Sequence, residues 1–218
     1  MNCPLCHSPT EFLIKADQRE YHLCPLCRLI FVPSRFFVTP EKEIERYLKH
    51  ENSLENEGYV NMFQEKIDII QDHCPDVQTV LDYGCGYEPV LKTLLERAGF
   101  EAEGYDPYFF PELKEGSVYD LILSTETFEH LKLPGEELKK IVPLLSPRGY
   151  CAVMTQFYPA QNGHPDLKGF LDWYYKRDPT HISFYGPKTF EWIAQHHDFD
   201  IILNNGKDFV ILQKTEPS

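Results

Sequence analysis

Four of the seven cysteines fall into two identical runs, Cys3-Pro4-Leu5-Cys6 and Cys24-Pro25-Leu26-Cys27, with 17 residues between them. That spacing is a zinc-ribbon pattern. Each run folds as a tight knuckle presenting two thiolates, and two knuckles close a four-sulfur tetrahedron with no position left for water. The expected ion is therefore structural Zn2+, held by Cys3, Cys6, Cys24 and Cys27; iron on the same ligands is the alternative. A redox dithiol fits the duplicated pairs less well. His7 and His22 stand beside these cysteines, but four sulfurs complete the shell without them. A segment of about 35 residues buries too little apolar surface to fold unaided, so the metal supplies the missing free energy.

A second chemistry is written in Thr79-Val80-Leu81-Asp82-Tyr83-Gly84-Cys85-Gly86. A short apolar run closed by an acid and two glycines, and followed by helical spacing from Val90, reads as strand, tight turn and helix. Glycines let the backbone turn sharply and approach a ligand, and the start of the helix offers unpaired N–H groups. This is a nucleotide-binding geometry. A second strand, Phe100 to Tyr105, then ends on Asp106-Pro107, where a carboxylate can accept both hydroxyls of a ribose. A third, within Tyr119 to Thr125, brings Thr125-Glu126 to the same edge, with Glu129-His130 about one turn further on.

These strand ends, together with Thr125-Glu126-Thr127-Phe128-Glu129-His130-Leu131 and Leu144-Leu145-Ser146-Pro147-Arg148-Gly149-Tyr150, resemble the class I S-adenosylmethionine-dependent methyltransferases over roughly residues 56 to 214. The resemblance implies an S-adenosyl-L-methionine cofactor. Its methionine part would lie on Asp82, Gly84, Cys85 and Gly86, its ribose on Asp106 beside Pro107, and Thr125 and Glu126 would face the crevice, with Tyr59 leaning over the cofactor. Two departures stand out. Glu88 occupies the place of a third glycine, and the interval from Asp106 to Tyr119 is short, so the usual third strand and its adenine-contacting acid are expected to be reduced or missing. Arg177-Asp178-Pro179-Thr180-His181-Ile182-Ser183-Phe184-Tyr185 resembles a stretch of one methyltransferase subgroup in which the histidine lies near the active site. His181, and after it His130, are the candidate catalytic bases, since imidazole titrates near neutrality.

Composition agrees with a catalyst of small molecules. The chain has 218 residues, 42% hydrophobic and 14% aromatic, enough for one substantial core and a small appendage. No apolar run approaches the roughly 18 residues that cross a bilayer, and the beginning lacks a signal-like segment, so a cytoplasmic protein without membrane contact is expected. A formal charge of -13 opposes attraction to nucleic-acid phosphates, which favours a small-molecule acceptor over nucleic acid as partner. Oligomeric state is not encoded in any pattern here. Two other functions remain: a non-catalytic binder with the ribbon as docking module, and an RNA methyltransferase.

The positioning elements follow from periodicity. Leu29 to Val32 reads as a strand, Glu41 to His50 as a helix, 51 to 58 as a polar connection, and Tyr59, Phe63, Ile67 and Ile70 as a helix packing on the sheet. Leu91, Leu94, Leu95 and Ala98 mark the first crossover helix. Leu138, Ile141, Val142 and Leu145 mark another, followed by a turn at Ser146 to Gly149 and a strand from Tyr150 to Gln156. An aromatic insertion with Phe157, Tyr158, Trp173, Tyr174, Tyr175 and His164 reads equally as a lid over the crevice or a hydrophobic plug. A helix around Thr189 to Gln195 and a hairpin over Ile201 to Leu212 close the chain. Cys74, Cys85 and Cys151 read as apolar fillers. The expected organisation is α/β: a zinc ribbon over 1–34, a helical connection over 35–72, and over 73–218 a Rossmann-like methyltransferase sheet, mostly parallel with an antiparallel C-terminal edge.

Overall fold

The computed structural model describes residues 1–49 and 53–216. His50, the end of the expected first helix, and residues 51 and 52 of the expected connection lie outside them.

A six-stranded sheet runs in the order β11-β12-β7-β6-β4-β5. Its parallel part is β4 (Thr79–Tyr83), β5 (Glu101–Tyr105), β6 (Tyr119–Thr125) and β7 (Leu145–Met154). The hairpin of β11 (Phe199–Asn204) and β12 (Phe209–Lys214) adds the antiparallel edge through β12 and β7. The fold class expected above is the one observed. These central strands are apolar on both faces because both faces are covered. Val80, Leu121, Leu123, Ala152 and Ile211 pack under α2 (Glu57–His73) and α3 (Val90–Arg97), while Leu81, Ile122, Cys151, Val153 and Val210 face α4 (Pro134–Ile141) and α6 (Pro187–His196). Period-two alternation along each strand sorts the two sets.

Between β5 and β6 the described residues form neither helix nor strand, only a turn closed by an Asp106–Phe110 bridge. The third strand is missing, as the short interval predicted. The expected helix through Leu145 ends earlier: Pro143 has no N–H to give the ladder, so the chain tightens into a 3-10 turn over Val142–Leu144. The expected turn at Ser146 to Gly149 lies inside β7 instead. Arg148 takes φ +59° there, and the register with β6 shifts, so the turn signal marks a bulge.

The N-terminal segment is built into the rest of the molecule. β1 (Glu11–Ala16), β2 (Arg19–Leu23) and β3 (Ile30–Phe31) form a sheet whose fourth strand, β10 (Ser183–Phe184), comes from the aromatic insertion. That insertion also carries a small hairpin, β8 (Ala160–Gln161) with β9 (His164–Pro165), and α5 (Leu167–Asp172). Its aromatics act as the plug, not the lid. Tyr158, Phe170, Tyr175 and Phe184 are buried with Tyr21, Leu23, Ile30 and Val32 in one cluster, Trp173 packs against it, and Tyr174 stays exposed. The helix α1 (Pro40–Tyr47) instead brings Glu43 and Tyr47 to the cavity described below.

Candidate active site

One cavity of about 730 Å³ opens at the carboxyl ends of β4, β5 and β6. Every cofactor or catalytic residue expected from the sequence lines it: Tyr59, Asp82, Gly84, Cys85, Gly86, Asp106, Pro107, Thr125, Glu126, His130 and His181.

The floor is the glycine turn. Gly84 and Gly86 hold φ of +90° and +68°, in the left-handed region that side chains disfavour. A Cβ at Gly84 would collide with Thr127, whereas one at Gly86 would meet nothing within 4 Å. The turn is pinned to the next strand by Gly84 N–H donating to the Tyr105 carbonyl at 2.8 Å. Asp106 is fixed from three sides: Oδ2 accepts from Gly86 N–H at 3.2 Å, and Oδ1 from the N–H groups of Tyr108 and Phe109 at 2.8 and 3.2 Å. Asp82 is buried, its Oδ2 has no partner, and burial pushes it up to about 7. An orphaned carboxylate oxygen beside an open glycine cradle fits a polar, cationic ligand end. Glu88 stands exposed in the wall. Burial raises the Cys85, Cys74 and Cys151 thiols, the last two to about 12, which agrees with their being fillers.

The roof was not foreseen. Glu43 of α1 is buried, accepting from the Tyr47 hydroxyl at 3.0 Å, the Tyr108 hydroxyl at 3.1 Å and Lys132 at 2.8 Å, which ties α1 to the turn after β5. Tyr87 and Phe109 meet edge to face across the opening, 6.0 Å between centroids. The aromatic run Tyr108-Phe109-Phe110 was the available signal.

Opposite the glycine turn lies a buried polar cluster. Glu126 follows β6 with φ +50°, a strained value for a non-glycine residue, and its N–H donates to the Met154 carbonyl at 2.8 Å. Its carboxyl faces the cavity, and its surroundings and Glu129 raise its pKa. Glu129 is fully buried; Oε1 accepts from the Tyr175 hydroxyl at 2.5 Å and Oε2 has no partner. The His130 and His181 rings lie 4.8 Å apart, edge to face. Burial lowers His181 to about 4, partly opposed by Glu129, so this imidazole is neutral near pH 7.

The loop bearing His181 is held by the N-terminal segment. Arg19 donates to the carbonyls of Asp178, Pro179 and His181 at 3.1, 3.3 and 3.1 Å, and to that of Lys176; Lys176 pairs in turn with Asp17. Asp178 accepts from Thr180 and from Arg46 of α1; burial alone would raise it, but these partners hold it well below the usual carboxylate range.

The four ribbon cysteines have their sulfurs within 4.8 Å of one another. Cys3 to Cys27 and Cys6 to Cys24 are each 3.4 Å, far beyond a disulfide bond of about 2.05 Å. The knuckles match: His7 and Arg28, each following a second cysteine, take φ near +60°, and their N–H groups donate to the carbonyls of Cys3 and Cys24. His7 is exposed, near Glu136, and neither it nor His22 joins the sulfur group.

Comparison with known proteins agrees with this fold. A family model described as a methyltransferase domain matches residues 44–204. The chain belongs to that family, the class I S-adenosylmethionine-dependent methyltransferases. An O-methyltransferase family protein from Burkholderia thailandensis superposes with a TM-score of 0.54 at 13% identity, covering 85% of this chain and 63% of its own. This chain thus spans less than two thirds of that protein's length. The PH0226 protein of Pyrococcus horikoshii OT3 gives 0.56 at 17% identity over 78% of this chain and 99% of its own. The plantazolicin methyltransferase BpumL, solved in complex with SAH, gives 0.51 at 14% identity over 83% and 93%. At these identities the likeness is one of fold. A search of curated proteins found no match. Among the described residues no helix is long and apolar enough to cross a membrane.

Proposed function

We propose that this methyltransferase transfers a methyl group to a hydroxyl of a small molecule inside the 730 Å³ cavity, with Zn2+ on Cys3, Cys6, Cys24 and Cys27 as a structural ion. The observation that carries the reading is the single cavity bounded by the glycine turn with Asp82 and Asp106 on one side and by Glu129, His130 and His181 on the other. Its size falls in the range of small-molecule sites, roughly 300–1,000 Å³. The net charge of -13 disfavours a polyanionic acceptor.

Asp106, already oriented by three backbone donors, would take the ribose; Pro107 lies beside it. The unpartnered Asp82 oxygen and the turn Gly84-Cys85-Gly86 would take the methionine end, with Tyr59 above and Thr125 and Glu126 at the reacting side. Tyr87 and Phe109 would flank the base in place of the missing third strand. Bound there, S-adenosylmethionine supplies a methyl carbon activated by sulfonium, so the leaving group needs no acid. The protein aligns the acceptor oxygen with that carbon beneath α1, in a cavity whose mouth reaches solvent. His181, with His130 beside it, meets the acceptor hydroxyl and assists the loss of its proton to solvent. The proposed organisation keeps a ribbon over 1–34, a connection over 35–72 and a catalytic domain over 73–218.

The test is transfer of a labelled methyl group into fractionated extract. Label is expected in small molecules; label in RNA or protein would refute the acceptor assignment. With that acceptor in hand, His181→Ala is expected to lower kcat by about 10²-fold or more at saturating cofactor. Unchanged turnover in both His181→Ala and His130→Ala would remove the histidines from the mechanism.

A further inference from the structure

The ligand atoms of Glu129, His130 and His181 lie within 4.8 Å of one another in the wall of the cavity. Each is prepared in the same way. His130 Nδ1–H donates to the Thr180 carbonyl at 3.0 Å and His181 Nδ1–H to the Tyr175 carbonyl at 2.8 Å, which fixes both tautomers and leaves the Nε2 lone pairs uncommitted. Glu129 is bound through Oε1 by the Tyr175 hydroxyl and keeps Oε2 bare although fully buried. A buried carboxylate oxygen without a donor is costly in an apoprotein. Two imidazoles each tied to a main-chain carbonyl, and a carboxylate tied to a hydroxyl, have the outer bonding that metal ligands show.

The charge balance points the same way. Glu126 shares the Tyr175 hydroxyl with Glu129, and among the described residues neither carboxylate pairs with a lysine or arginine. Two unmatched carboxylates facing one cavity repel each other, and a dication would neutralise both.

We propose that Glu129, His130 and His181 bind a divalent first-row transition cation, separate from the cysteine site, with open positions directed at the acceptor oxygen. Nitrogen and oxygen donors in this number suit manganese, cobalt or zinc. The cation would hold the acceptor hydroxyl opposite the glycine turn and lower its pKa, which is how the two histidines assist proton loss. The proposal rests on the methyltransferase reading for its acceptor, but not for the ion itself.

The test is titration of protein holding one zinc per chain, which the four thiolates take first, with Mn2+, followed by electron paramagnetic resonance, in parallel with calorimetric titration of S-adenosylhomocysteine. Mn2+ disfavours thiolates, so the cysteine site does not compete. One Mn2+ per chain is expected, weakened by more than about tenfold in Glu129→Gln and in His181→Asn, while S-adenosylhomocysteine still binds. His130→Asn, at a partly exposed position, repeats the test should either buried variant fail to fold. Bound S-adenosylhomocysteine with no Mn2+, or Mn2+ affinity unchanged in folded variants, overturns the cation site and leaves the methyltransferase reading standing. Mn2+ bound without S-adenosylhomocysteine supports the site and removes the cofactor reading instead.

Discussion

Asp82 shows how one buried carboxyl reports on the site. Its pKa is 3.8 in the unfolded chain and about 7 in the fold, raised by burial and secondarily by Asp106. Between those values the folded protein holds a proton that the unfolded chain releases, so this group's contribution to stability falls as pH rises from about 4 to 7. Asp82→Asn is expected to flatten that fall in denaturation curves taken across the window; an unchanged slope would place its origin elsewhere. The ammonium of S-adenosylhomocysteine favours the ionised carboxylate, so its affinity is expected to rise over the same range in the native protein and to stay level in the variant. The sequence disclosed Asp82, Gly84, Gly86 and Asp106 because their roles depend on local turn chemistry. It disclosed Glu129 only as a neighbour of His130. The bare Oε2 depends on Tyr175, far along the chain, which occupies the other oxygen.

At the scale of elements, the parallel strands were legible as continuous apolar runs and the terminal hairpin as two such runs around Asn205-Gly206. The pairing of β3 with β10 was not, since two two-residue strands over 150 residues apart carry no periodic signal. For the same reason the aromatic insertion left lid and plug undecided until its rings met the N-terminal sheet. That contact ties the N-terminal segment to the cavity wall and to the proposed catalytic histidine, because Arg19 organises the loop bearing His181 through its carbonyls. Arg19→Ala is expected to lower kcat by roughly tenfold while leaving S-adenosylhomocysteine affinity within about twofold, because the loop lies opposite the glycine turn. A loss confined to cofactor affinity would contradict this.

For the molecule as a whole, the ribbon's place matters more than its size. Gly135 at the start of α4 donates its N–H to the Pro4 carbonyl at 3.2 Å, and Leu5, Cys3 and Cys27 lie in the same buried cluster as Phe128, Tyr185 and Phe190. Losing the proposed zinc ion should therefore loosen the main core as well as the first knuckle. Chelation, or Cys24→Ser, is expected to lower Tm by roughly 5–10 °C and to abolish turnover, since ribbon folding and metal binding are one event. An unchanged Tm with full activity would argue for a detachable docking module.

The central claim is that the glycine turn and Asp106 form the seat of a sulfonium nucleoside. Calorimetric titration of the purified protein with S-adenosylhomocysteine tests it most directly. The account predicts one site per chain, with affinity reduced by more than about tenfold in Asp106→Ala; absence of binding, or binding indifferent to that substitution, would contradict it.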